Sequence, residues 1–194
     1  MDGRILPGAV AWYVTGRFYA AEHDTAFDAG YFVHLQGIEG PLFSGKPGEG
    51  TAYLTFLADP FKAKKVYNGD ITLGLDDVGE FGVYLNRTPG ASFDQPRSFG
   101  DGEEIARFRR VSVVMGATIG GGAANQALFS ATVFSAQLIH SREFELGGRR
   151  YDLRRLIPNG VTQWGTAATT STGNPAGIPF VGSAIAIGGE PGAA

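Results

Sequence analysis

Three histidines, two carboxylate clusters and two short basic runs are the groups in this chain able to do chemistry. His34 stands in AGYFVHLQG, where strict alternation sets it on one face with Phe32 and Gln36, opposite Tyr31, Val33 and Leu35. His140, in SAQLIHS, falls by the same rule on the face of Leu138 and Phe134. An imidazole and an amide directed into an aromatic cavity are the usual polar equipment of a small-ligand pocket. Trp12, Tyr53 and Tyr84, with Tyr13, are the aromatic residues able to line it, and Thr55 shares a face with Tyr53. The expected ligand-binding set is therefore His34, Gln36, Tyr53, Thr55, Tyr84 and Trp12. None of these is assigned a catalytic role.

Other chemistries find less support. No His-x-His or His-x-x-x-His spacing marks a metal site, and no metal or other cofactor is expected. Asp76-Asp77-x-Gly-Glu80 and Asp101-x-Glu103-Glu104 lack the calcium-loop spacing and fit solvated turns. There is no Gly-x-Ser-x-Gly elbow and no glycine-rich nucleotide cradle. With no cysteine, disulfides, thiolate sites and cysteine nucleophiles are excluded. The basic runs RFRR (107–110) and GRRYDLRR (148–155) read as a solvated edge or rim. A net charge of −3 and the lack of aromatic platforms beside a basic groove argue against nucleic acid.

The elements that must position these groups read as strands throughout. Hydrophobic residues make up 43% of the chain, enough for a sizeable core. The 30 glycines are scattered among aromatic and β-branched runs, as many tight turns require. AVAWYVTGRFYA (9–20), AGYFVHLQGIEG (29–40) and GTAYLTFLAD (50–59) read as the first three strands. Asn68-Gly69 marks a hairpin turn, a further turn falls at Asp76–Gly79, and a strand follows to about Asn86. Residues 87–104 form a long loop, and Gly147-Gly148 turns a later hairpin.

Between Val111 and Ser141 the chain carries no Asp, Glu, Lys or Arg. Gly120–Gly121–Gly122 and the amides of Asn125 and Gln126 count against a membrane-spanning helix. A period of two on both arms predicts a long antiparallel hairpin hinged on GGGAAN. Beyond Arg155 only Glu190 is charged. Gly160 to Pro175 reads as a long loop, IPFVGSAIAIG (178–188) as the strand that closes the sheet, and 189–194 as a flexible tail.

AWYVTGRFY resembles the first strand of lipocalins in its tryptophan, with Val10 where their motif has glycine. The likeness carries over no functional residue. It agrees with the expected architecture: one all-β domain over 1–188, an antiparallel β-barrel of about eight to ten strands, calycin-like in outline. A two-sheet sandwich or jelly roll is the alternative. The expected function is binding of a small apolar molecule in the barrel cavity, extending to cofactor-free cyclase or isomerase chemistry assisted by His34, Tyr53 or Tyr84. The alternatives are an oligomeric hairpin pore and a self-assembling structural protein. The 111–141 hairpin and the C-terminal segment are the surfaces on which copies would meet. The start of the chain lacks the basic and apolar regions of a signal peptide, which favours the cytoplasm.

Overall fold

Alternation decides the walls of this protein. Along Val10–Ala20, Trp12, Val14, Gly16 and Phe18 face one side, while Tyr13, Thr15, Arg17 and Tyr19 face the other. The computed structural model describes residues 4–21, 25–68, 71–76, 79–111, 114–121, 126–168 and 170–188; along 63–68, 71–76, 114–121 and 126–130 it describes the backbone path alone. The elements in chain order are β1 (Val10–Ala20), β2 (Ala26–Leu35), β3 (Leu54–Ala58), β4 (Ala63–Asn68), β5 (Ile71–Asp76), β6 (Glu80–Leu85) and β7 (Glu103–Arg110). There follow β8 (Val114–Gly121), β9 (Gln126–Ser141), β10 (Phe144–Leu146), β11 (Arg149–Tyr151), α1 (Leu153–Leu156), β12 (Val161–Ala167) and β13 (Gly177–Ala186).

Eight strands close into an antiparallel barrel in the order β12, β13, β1, β2, β3, β6, β7, β9, with β9 returning to β12. The pairing that closes the ring runs from Val161↔Ala136 to Ala167↔Ser130. The expected barrel is thus present, but a segment read as loop supplies the closing strand. VTQWGTA lacks the apolar alternation that signals a strand, because after Val161 its inward positions are Gln163, Gly165 and Ala167 rather than large hydrocarbons. β9 also carries a side arm. Its first half pairs with β8, which pairs with β5 and then β4, so three strands continue outward from the ring. The expected hairpins survive in the pairings Asn68↔Ile71 and Gly121↔Gln126. Their turns at Asn68-Gly69 and 122–125, the turn at Asp76–Gly79, His23 and the tail 189–194 lie wholly or partly outside the described residues.

The lumen is packed with aromatic rings. Trp12 meets Phe32 and Phe108 edge to face, both at 5.5 Å, and Phe81 stacks on Phe108 at 5.1 Å. Gly16 and Gly30 face each other across β1 and β2, and the space their side chains would take is occupied by the neighbouring strand's backbone and by rings. A Cβ on Gly16 would stand 2.8 Å from Phe180 Cζ, and one on Gly30 2.8 Å from Phe56 Cζ. One end of the barrel is plugged by Ile5, Phe144, Leu146 and the short α1, whose Leu153 and Leu156 are buried. Asp152 caps α1 by accepting from Arg154 N (2.9 Å). Outside the wall, the 87–102 loop covers β1, β2 and β3 with a second small core of Tyr19, Phe27, Ala29, Phe93 and Phe99. Among the described residues no helix is long and apolar enough to cross a membrane.

Candidate functional site

The end of the barrel opposite the plug has a different chemistry. β2 brings Asp28 inward on the face of Gly30 and Phe32, β7 brings Arg110 inward on the face of Ala106 and Phe108, and β12 brings Gln163. Arg110 Nη2 donates to Asp28 Oδ1 at 3.0 Å, with the two side chains only 3% and 9% exposed. The guanidinium lies against the rings of Phe61 and Phe134, 4.8 and 5.0 Å from their centroids. Its Nε and Nη1 are buried without a hydrogen-bond partner among the described residues. Trp12 Nε1 donates to Gln163 Oε1 at 2.9 Å. Two voids, of about 10 and 20 Å³, meet at Asp28, Phe134 and Gln163. Each is the size of a single water. Half-buried Phe18 and Phe61, with Thr132 and Gly165, form the rim above the outer void.

Of the expected ligand-binding residues, the structure brings only Trp12 to this lumen. His34 and Gln36 lie outside it because β2 contains a bulge. Tyr13 pairs with His34 and Val14 with Phe32, leaving Val33 as the extra residue. Phe32 and Leu35 therefore point inward, while Val33 and His34 point outward. His34 Nε2 sits 3.3 Å from Gln36 Oε1, and its ring lies 5.7 Å from that of Tyr13, which is also exposed. A second bulge opposite Arg107 and Phe108 leaves His140 exposed although Leu138 is buried.

Thr55 is fully buried, but beneath the 87–102 loop. Its hydroxyl donates to Phe99 O (2.6 Å) and accepts from Asn86 Nδ2 (2.8 Å). Tyr53 lines a separate external depression with Pro41, Leu85 and Leu146. Tyr84 lies across Gly82 on the outer wall, where burial and then Glu104 push its phenol up from the ordinary value. That outer wall carries an ion network. Arg107 donates to Glu104 (2.5 Å) and Asp59 (3.1 Å) and approaches Glu80, which also pairs with Arg109. The hydrogen bond from Arg107 holds the Glu104 carboxyl below its usual value.

The basic run 107–110 is accordingly divided. Arg107 and Arg109 are on the outer wall as expected, but Arg110 is an interior residue rather than part of a solvated rim. Sequence reasoning missed Asp28, Arg110 and Gln163. The available signal was alternation: Asp28-x-Gly30-x-Phe32 and Ala106-x-Phe108-x-Arg110 each place a charge in register with core residues. A larger external groove of about 380 Å³ crosses β2, β1, β13 and β12 between Tyr13, Val33, Trp164 and Val181. Among the described residues no cluster of three or more His, Asp or Glu side chains could hold a metal ion. In comparison with known proteins, no family model, curated protein or solved structure matches this chain.

Proposed function

We propose that the rim end of the barrel binds one small, mainly apolar molecule. The observation that carries this reading is the segregation of the lumen. It is apolar along its length, and its charged side chains among the described residues, Asp28 and Arg110, converge at the end that is not plugged. Apolar walls with a few convergent polar groups are the general composition of ligand sites. The external groove is wider, but it is open and would leave most of an occupant in water.

The two voids hold water-sized occupants, so a ligand enters by displacing the rings of Phe18 and Phe61 at the rim. Groups capable of proton transfer or charge stabilisation at this site are Asp28 and Arg110. His34, Tyr53 and Tyr84 stand outside the wall and do not reach the lumen. A pore stem fits less well. Releasing β9 as a membrane hairpin would break its ladders with both β7 and β12 and open the ring.

Native mass spectrometry of the freshly isolated chain, set against its denatured mass, tests the reading. A reproducible excess of the size of a small ligand supports it. A bare mass, combined with an unmoved Trp12 indole resonance on titration with small aromatic probes, removes it.

A further inference from the structure

We infer that the occupant of the rim end presents an uncharged acceptor oxygen, such as a ketone or other carbonyl, to Arg110. This inference rests on the lumen being a binding site. Arg110 is 2% exposed, and only its Nη2 has a hydrogen-bond partner among the described residues. A guanidinium donates and never accepts, so what satisfies its Nε and Nη1 must be an acceptor. A pure hydrocarbon would leave both donors unmet in a dry site, which is costly. Phe61 and Phe134 hold the guanidinium from two sides, so the unmet N–H groups keep fixed directions.

Charge narrows the class further. Asp28 and Arg110 cancel, and among the described residues they are the only charged ones lining the two voids. A carboxylate ligand would set a second negative charge beside Asp28 with one cation to serve both. An ammonium would face Arg110 without an anion of its own. A flat neutral ring bearing a carbonyl accepts from one of the unmet donors and leaves the ion pair intact.

The two tryptophans of the chain provide a located readout, since Trp12 lines the lumen and Trp164 lies on the outer groove. Their indole N–H resonances would be followed during titration with acetophenone, its hydrocarbon isostere α-methylstyrene, benzoate and benzylammonium. Acetophenone should move the Trp12 signal and bind roughly tenfold or more tightly than α-methylstyrene, as one hydrogen bond from a charged donor implies. Benzoate and benzylammonium should both bind more weakly than acetophenone.

In the double variant Asp28→Leu/Arg110→Met, which strands no buried charge, the ketone and the hydrocarbon should bind alike. If that variant does not fold, Asp28→Ala/Arg110→Leu, which likewise carries neither charge nor donor at these positions, should lose the preference in the same way. Equal binding of ketone and hydrocarbon to the native chain would overturn the inference while leaving the lumen a binding site. So would tighter binding of benzoate, or a ketone preference that survives both variants. A Trp12 signal unmoved by every probe would remove the binding site itself, with water as the partner of Arg110; movement of Trp164 alone would do the same.

Discussion

Arg110 and Asp28 show how one pair can cost stability and still be indispensable. Removing two charges from water is expensive, and their attraction repays it only when both remain. Arg110→Met should therefore lower unfolding stability by about 3–5 kcal/mol by leaving Asp28 buried and uncompensated. Asp28→Leu/Arg110→Met should be far closer to the native chain, and urea unfolding of the three proteins measures the coupling. Glu104 makes a prediction of the opposite dependence. Its folded carboxyl is held below the ordinary value of 4.5 by Arg107, so its contribution is complete above that value and is lost as pH falls through the lower folded value. Arg107→Met should remove this contribution and its acid loss together, so the variant's thermal midpoint should lie below the native one near neutral pH and converge with it as pH falls below the Glu104 range. Neither pair was recognised from residue types alone. Arg107 and Arg110 are three positions apart in one basic run, and only the strand's alternation separates an outer-wall arginine from an interior one.

At the scale of elements, most strands were legible because their apolar residues recur every second position, as in Trp12, Val14 and Phe18 of β1. What alternation does not register is a bulge. The extra residue Val33 alters no composition, yet it moves His34 from the expected inner face to the outer one, and with it the expected imidazole of the site. Similarly, β12 was read as loop because Gln163 and Gly165 occupy the inward positions where a core strand would carry hydrocarbons. The side arm can be tested at its far edge. β4 pairs with β5 alone among the described strands and carries Lys64 and Lys65, charges of the kind that discourage pairing between molecules at an open edge. Replacing both by valine should promote association, seen by light scattering as particles growing with concentration.

For the whole molecule, the decisive contact is the one between β9 and β12. It turns a strongly coiled sheet into a ring and places Gln163 opposite Phe134, so the wall is completed and the site assembled by the same ladder. Thr166 sits in that ladder, paired with Ala131 on one side and Val181 on the other. Thr166→Pro should cost about 2–3 kcal/mol, since proline removes a donor and is poorly tolerated between two neighbours. Urea unfolding would give the loss, and faster amide exchange in β12 and β13 than elsewhere in the ring would locate it. The division between a plugged end and a polar end was not legible from the sequence. It depends on which strand termini meet in space, and a closed ring brings Asp28, Arg110 and Gln163 together from three distant segments.

The glycine pair in the barrel wall also makes the lumen adjustable by design. At Gly16 and Gly30 the two backbones meet closely, and one ring, Phe180 or Phe56, lies over each. Widening a barrel usually means repacking several strands, whereas here one truncation exposes space that reaches the peptide wall. Phe180→Ala should cost about 3–5 kcal/mol and leave a dry hole beside the rim. Benzene should recover part of that loss by occupying the space the ring has vacated, making the variant a receptor whose bore is set by one chosen side chain.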